Sequence, residues 1–317
     1  MDSRREVRYT FKKGEDMRMR KFGLLFGVVA AGALTLTMCA GREGQMAIKI
    51  ERRTCAAPDG VTIVYSVCGK GVPELVFIHG GLANRSFWDA ELKAFAGKHR
   101  VVALDLAGHG ESGTNRVKWG IPEFGADVKA VADAEKLNHM VIFGNSLGGP
   151  VAVEAALLMP GRVIGVCGVD TFQSLDYKIT PEEARQRAEA FRKDFAGSVK
   201  EMTKALFKPD ADPAIIADAE RRMARTSPEA AYAMFSGLGG YDTAASARRL
   251  TVPLRAINGD LYPTDFEAVR KIKPDFDAII MKHMGHYPML ERPDEFNTHV
   301  AEVVAELVNL FRGIPRR

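Results

Sequence analysis

Short, almost uninterrupted apolar runs alternate with longer amphipathic segments over most of this 317-residue sequence. Each run is four to eight residues long, which predicts buried β-strands. The runs occupy residues 75–79, 101–105, 140–143, 163–170, 252–258 and 278–282. Because they are continuous instead of alternating with polar residues, they favour a mostly parallel sheet that is covered on both faces.

Helical patterns follow most of these runs and predict the helices that would cover the sheet. They occupy residues 86–98, 122–136, 150–159, 265–273 and 294–311. Two earlier β runs, 47–54 and 61–67, are joined by Pro-Asp-Gly and predict an antiparallel hairpin. The predicted fold class is therefore α/β, with a mostly parallel central sheet and helices on both faces.

The alternation of strand and helix stops between residue 171 and about residue 240. This stretch contains only helical patterns, at residues 181–195, 198–207, 213–225 and 228–235. The strand pattern then resumes at residue 252. We therefore predict one domain over residues 46–317, with a helical cap at about 171–240 inserted between two strands.

The N-terminus has a different composition from the rest of the chain. Basic residues within 18–21 precede the uncharged stretch 22–41, which is typical of an export signal. We expect residues 1–45 to form a signal peptide, or a membrane or lipid anchor with a linker, in an exported bacterial protein that is periplasmic, secreted or membrane-anchored. Cys39 is the candidate for lipidation, although Met38 replaces the small residue usual before such a cysteine. Cleavage nearby and retention as one membrane span are the alternatives.

Charge and cysteine content narrow the range of partners. The net charge of +4 arises in the first 38 residues, which hold 8 of the 44 Lys and Arg and 4 of the 40 Asp and Glu, leaving 36 of each. We therefore expect no nucleic-acid partner. The four cysteines form no Cys-x-x-Cys pair and have no metal-ligand spacing, so we expect neither a structural disulfide nor a metal site. They are Cys39, Cys55, Cys68 and Cys167.

One glycine-flanked turn gives the strongest chemical signal. Residues 144–148 read Gly-Asn-Ser-Leu-Gly and match the Gly-x-Ser-x-Gly turn, in which Ser146 would stand in a strained turn between a strand and a helix. The residues two before and two after the serine must be nearly free of side chain to avoid a clash. The predicted strand 140–143 and helix 150–159 supply the required context.

Three further motifs accompany this turn. Residues 79–81 read His-Gly-Gly, residues 105–112 read Asp-Leu-Ala-Gly-His-Gly-Glu-Ser, and residues 285–296 contain Gly-His-Tyr-Pro, Glu-Arg-Pro and Phe. From about residue 47 to the end, the chain therefore resembles the α/β-hydrolase fold superfamily, in its branch of single-domain serine hydrolases with a helical cap. The resemblance implies a Ser-His-Asp triad on the α/β fold.

The chemistry of an ester or amide carbonyl assigns roles to these residues. The Ser146 hydroxyl is a weak nucleophile near neutral pH, so it needs a base within hydrogen-bond reach. His286 is the candidate base, because it follows the last strand, where the family has its base, and imidazole titrates near neutral pH. The backbone N–H groups of Gly81 and Leu147 are the expected oxyanion donors, with Leu82 as an alternative to Gly81.

The carboxylate that would orient His286 is predicted from chain order. In the family this acid commonly follows the next-to-last strand, three residues beyond a glycine, and here Tyr262 takes that position. We therefore predict Asp260, which preserves the order Ser, Asp, His, with Asp170 at the end of the preceding strand as the alternative. Asp265 is expected to cap a helix.

Several other histidines and apolar residues were candidates for the site. His79 and His109 lie in the glycine-containing loops and are expected to be structural. Five residues could line a pocket, although residues at helical spacing are more often part of a core than of a ligand-binding wall. They are Trp88, Trp119, Phe172, Met234 and Phe235.

The sequence predicts hydrolysis of a small carboxylic ester through an acyl-enzyme, with no metal or organic cofactor. Amide or iminopeptidase cleavage, carbon–carbon bond hydrolysis, perhydrolysis and lyase chemistry on the same residues are alternatives, as is a non-catalytic ligand-binding protein. A serine at position 146 excludes the branches of this fold that use aspartate there. We expect a small-molecule substrate, and the sequence leaves the oligomeric state open.

Overall fold

The computed structural model of the protein describes residues 48–313. The predictions for residues 1–45, including lipidation at Cys39, lie outside the described residues. Within residues 48–313 the chain forms eight strands: β1 (Glu51–Ala56), β2 (Thr62–Cys68), β3 (Glu74–Ile78), β4 (Val101–Leu104), β5 (Met140–Asn145), β6 (Val163–Val169), β7 (Leu254–Gly259) and β8 (Asp277–Met281).

The eight strands belong to one sheet, in the order β1-β2-β4-β3-β5-β6-β7-β8. The pairings of β1 with β2 and of β2 with β4 are antiparallel, and all others are parallel. Every residue of β3 to β7 is buried. Burial on both faces explains why these strands are continuous apolar runs, and the predicted α/β fold class is confirmed.

The N-terminal hairpin has the predicted turn. The backbone N–H of Ala57 donates to the carbonyl of Val61, and Gly60 has φ +84°, a conformation that glycine adopts without strain. The register pairs Cys55 with Ile63, so Cys55 and Cys68 do not lie opposite each other. Strand β1 is largely exposed, which fits its position at the edge of the sheet.

Helices cover both faces of the sheet, and most begin within a few residues of their predicted starts. They are α1 (Asp89–Phe95), α2 (Ile121–Ala134), α3 (Gly148–Leu158), α4 (Pro181–Lys193), α5 (Phe195–Ala205), α6 (Pro213–Met223), α7 (Pro228–Gly237), α8 (Thr243–Arg249), α9 (Phe266–Ile272), α10 (Pro288–Glu291) and α11 (Pro293–Phe311). Helix α2 packs on α3, α3 on α8, and α1 on α11. In the described residues, no helix is both long and apolar enough to cross a membrane.

Helices α4 to α7 fall within residues 171–240, between β6 and β7. Their starts follow capping rules: the side chains of Thr180, Asp194, Asp212 and Ser227 accept backbone N–H groups of the first turns. Helix α4 packs against α7, where the rings of Phe191 and Phe235 stack with centroids 4.5 Å apart. We refer to this helical segment, residues 171–240, as the cap.

Candidate active site

Ser146 stands in a sharp turn between β5 and α3. Its φ is +52°, a strained value for a residue with a side chain. A Cβ atom on Gly144 would lie 2.0 Å from the carbonyl oxygen of Gly148, and one on Gly148 would lie 2.6 Å from that of Ile78. The turn can therefore form only with glycine at both positions, as the sequence motif requires.

His286 contacts a carboxylate at the edge of the sheet where the parallel strands end. Its Nδ1 lies 2.5 Å from Oδ2 of Asp170, the residue that follows β6. The other carboxylate oxygen accepts the backbone N–H of Gly259 at 2.9 Å and the Gln173 side-chain amide at 3.2 Å. With its Nδ1 hydrogen donated to the carboxylate, the imidazole keeps Nε2 as the nitrogen that can accept a proton.

The structure corrects the predicted partner of His286. Asp260 does not contact the imidazole: its Oδ1 lies 2.6 Å from Nζ of Lys208 and accepts the backbone N–H of Met284 at 3.1 Å. The hydrogen bond with Lys208 holds the pKa of the Asp260 carboxyl far below its usual value. Asp170, the alternative in the sequence analysis, occupies the expected position instead.

Asn145, next to Ser146, has a role that the sequence did not reveal. Its side-chain amide donates to the carbonyl of Val169 at 2.9 Å and to that of His286 at 3.1 Å. This buried side chain therefore joins the ends of β5 and β6 to the loop that carries the imidazole. The sequence alone does not show that this polar side chain is buried beside the Ser146 turn.

The His286 loop is also attached to the cap. The backbone N–H of His286 donates to the carbonyl of Leu206 at 2.8 Å, and the rings of Phe207 and Tyr287 lie 5.5 Å apart. A Cβ atom on Gly285 would approach Leu206 O to 2.9 Å. The end of α5 and the loop after β8 are therefore in direct contact.

The loop after β3 approaches Ser146 closely. A Cβ atom on Gly80 would lie 3.1 Å from Cβ of Ser146 and 2.8 Å from Oδ1 of Asn145, so this position requires a residue without a side chain. Gly81 and Leu147, the predicted oxyanion donors, line the same cavity as Ser146. Leu82, the alternative to Gly81, is buried in a left-handed conformation with φ +61°.

A cavity of about 340 Å³ opens at Ser146 beneath the cap. Its wall is mostly apolar. The residues that contribute polar side chains are Ser146, Thr171, Ser174, Tyr177, Arg187, Tyr241, Thr243 and Tyr287. Of the five apolar candidates from the sequence, Phe172 and Phe235 line the cavity, whereas Trp88 and Met234 are buried in the core and Trp119 packs over Gly108.

His79 and His109 are both buried, as expected for structural residues. The Nδ1–H of His79 donates to the carbonyl of Gly80 at 2.7 Å, and its Nε2 accepts the N–H of Leu106 at 3.1 Å. Burial lowers the pKa of His79 to about 4 and that of His109 to about 3, so both rings are neutral near pH 7.

In the part of the chain that the structure describes, no group of three or more His, Cys, Asp or Glu side chains could hold a metal ion.

Known proteins resemble this chain in sequence and in fold. The family model of the Alpha/beta hydrolase family matches residues 75–299. Pimeloyl-[acyl-carrier protein] methyl ester esterase of Nitrosospira multiformis is 25% identical over 76% of this chain and 97% of its own length. 3-oxoadipate enol-lactonase 2 of Acinetobacter baylyi is 25% identical over 81% of this chain and 97% of its own length. The solved structure of a thermophilic esterase from Thermogutta terrifontis superposes with a TM-score of 0.73 at 22% identity, over 81% of this chain and 99% of that one.

Proposed function

Because this chain belongs to the Alpha/beta hydrolase family, we propose that it is a serine hydrolase that cleaves a small carboxylic ester through an acyl-enzyme. Relatives named as an ester esterase and an enol-lactonase align over nearly their full length, which supports ester chemistry. A cavity of about 340 Å³ is at the small end of the range for ligand sites, which favours a small substrate.

In the proposed reaction, His286 Nε2 removes the proton from the Ser146 hydroxyl as the oxygen attacks the ester carbonyl. The N–H groups of Gly81 and Leu147 stabilise the oxyanion of the tetrahedral intermediate. The protonated imidazole, stabilised by Asp170, then gives its proton to the leaving alcohol. Water, deprotonated by His286, hydrolyses the acyl-Ser146 ester and regenerates the enzyme.

The observation that carries this proposal is the contact between Asp170 and His286, attached to the Ser146 turn through Asn145. A non-catalytic ligand-binding protein has no need for a strained serine and a carboxylate-bound imidazole at the same sheet edge.

A panel of p-nitrophenyl esters, lactones and aminoacyl amides tests the proposal. We expect ester turnover that Ser146→Ala abolishes. Turnover of amides alone would favour the peptidase alternative, and no turnover of any substrate would overturn the proposal.

We further propose that the protein is exported and that its N-terminal segment is a cleaved signal or an anchor. The support is the basic start of that segment followed by its uncharged stretch, residues 22–41. Mass spectrometry of the mature N-terminus tests this proposal. A chain that begins near Cys39, with or without lipid, is expected for cleavage. A full-length chain in the cytosolic fraction would contradict export.

A further inference from the structure

The cavity at Ser146 has one charged side chain among the described residues that line it, and that side chain is a cation. Arg187 of α4, in the cap, lines this cavity, and both Arg187 and its neighbour Tyr177 are exposed to solvent. Its Nη2 donates to the hydroxyl of Tyr177 at 2.6 Å, and Tyr177 also lines the cavity. This end of the site therefore presents a guanidinium and a phenol hydroxyl together.

Other arginines of α4 are paired, whereas Arg187 is not. Arg185 lies 2.5 Å from Glu182, and Arg192 lies 3.3 Å from Glu189. In the part of the chain that the structure describes, no carboxylate lies within ion-pair distance of Arg187. Glu183, one helical turn before it, accepts the backbone N–H and hydroxyl of Thr180 instead. Apart from the Nη2 hydrogen bond to Tyr177, the N–H donors of Arg187 are therefore available for a ligand.

From this arrangement we propose that the cavity selects esters that carry a carboxylate away from the scissile bond, with Arg187 as the residue that binds it. The inference rests on the proposed function, since it names the substrate class of that site. A planar guanidinium binds carboxylate with two parallel N–H donors, and the Tyr177 hydroxyl can donate a third hydrogen bond. The apolar residues that line the same cavity as Arg187 and Ser146 would hold the carbon chain that separates the two groups of the substrate.

The test compares matched neutral and anionic esters. Mono-p-nitrophenyl glutarate carries the carboxylate on the acyl side, 4-carboxyphenyl butyrate carries it on the alcohol side, and p-nitrophenyl butyrate is the neutral reference. We expect Arg187→Gln to lower kcat/KM for at least one anionic ester by about 10-fold and to change that for the neutral ester by less than roughly 2-fold. Arg187→Lys should keep part of the preference, because it keeps the charge.

Arg185→Gln is the matched control, since this residue lies on the same helix but outside the cavity wall. It should leave all three values of kcat/KM unchanged. Equal losses with neutral and anionic esters in Arg187→Gln, or the same selective loss in Arg185→Gln, would overturn the inference. Suppose that Ser146→Ala abolishes hydrolysis of the neutral ester but Arg187→Gln has no effect on the anionic esters. Then the inference about Arg187 fails and the proposed function stands. If no ester is hydrolysed, the proposed function fails and the inference with it.

Discussion

Two aspartates that each follow a parallel strand differ in what surrounds their carboxylates. Asp170 is 1% exposed and receives the N–H of Gly259 and the imidazole of His286. Asp260 is neutralised by Lys208 of the cap and holds the backbone of Met284. In the proposed mechanism, Asp170 is therefore the carboxylate that would stabilise an imidazolium, because it contacts the imidazole, whereas Asp260 is already paired with Lys208.

Substitution of these aspartates separates the two roles. We expect Asp170→Asn to lower kcat by about 10³-fold to 10⁴-fold, because the imidazole loses the carboxylate that fixes its tautomer. Asp260→Asn should lower kcat by less than about 10-fold, because it weakens an ion pair and leaves the imidazole contact in place. Steady-state kinetics with a p-nitrophenyl ester measures both. A larger loss in the Asp260 variant would restore the prediction made from chain order.

The wrong prediction of Asp260 has a physical cause. Both aspartates follow buried strands, so the sequence pattern treats them alike. Both aspartates contact the loop of His286, Asp170 at the imidazole and Asp260 at the backbone of Met284. Asp260 is also paired with Lys208, 52 residues away in the cap. None of these contacts is local in sequence. Ser146, by contrast, could be predicted because its requirement for flanking glycines is local.

The buried carboxyl of Glu91 allows a test of the structure that does not depend on catalysis. Its side chain in α1 is fully buried, and its carboxyl oxygens have no partner among the described residues outside its own backbone. Burial raises the pKa of this carboxyl to about 8, so the folded protein holds it neutral near pH 7. The unfolded chain ionises it above about pH 4.5.

The contribution of Glu91 to the free energy of unfolding should therefore fall as pH rises from about 4.5 to 8, because over that window the unfolded chain binds fewer protons at this carboxyl than the folded protein does. The slope attributable to Glu91 is at most about 1.4 kcal/mol per pH unit. Glu91→Gln is neutral in both states and should remove this slope. Urea unfolding of both proteins at several pH values measures it. Parallel pH profiles for the two proteins would show that Glu91 is ionised in the folded state.

At the scale of elements, the cap is attached to the loop that follows β3. The Thr226 hydroxyl, between α6 and α7, donates to the carbonyl of Leu82 at 3.1 Å. Arg222 donates to the carbonyl of Ser86 at 3.0 Å and lies over the ring of Phe87. Leu82 is in a left-handed conformation next to Gly81, so these bonds hold the backbone that would present an oxyanion donor.

Thr226→Val tests that attachment with little change of shape. Loss of the hydroxyl leaves the buried Leu82 carbonyl without this donor, so we expect a loss of about 1–3 kcal/mol in unfolding free energy and about a 10-fold fall in kcat. Thr203→Val is the control, because its buried hydroxyl donates to Val199 within α5. It should lower stability without affecting kcat. Equal effects of the two substitutions on kcat would argue against a specific role for Thr226.

Most elements could be predicted from sequence, and the misses have local explanations. Nearly continuous apolar runs identified the strands because burial on both faces leaves few polar positions. The segment predicted as a helix over 86–98 instead forms a 3₁₀ turn, Arg85–Trp88, followed by α1. Helix α8, Thr243–Arg249, escaped prediction because its small residues and two terminal arginines give no apolar stripe.

At the scale of the whole molecule, the groups of the proposed site come from distant parts of one chain. The serine turn, the Asp170 end of β6, the cap and the His286 loop all lie within residues 48–313. By its contacts the chain divides into the units Met1–Met46 and Ala47–Arg317, and the described groups of the proposed site belong to the second unit.

Removal of the first unit should leave catalysis intact. We expect a chain that begins at residue 47 to hydrolyse p-nitrophenyl esters with kcat/KM within roughly 2-fold of the full chain. Parallel kinetics of the two purified proteins makes the comparison, and circular dichroism checks that both are folded. A folded but inactive shorter chain would show that the N-terminal segment contributes to the site.

Covalent labelling of Ser146 tests the central claim most directly. A fluorophosphonate reacts with a serine that a neighbouring base activates, and peptide mass spectrometry identifies the residue that carries the phosphonyl group. We predict a single modified serine, Ser146, in the folded protein, with no labelling in Ser146→Ala or after denaturation. An unmodified Ser146 in folded, intact protein would contradict the account.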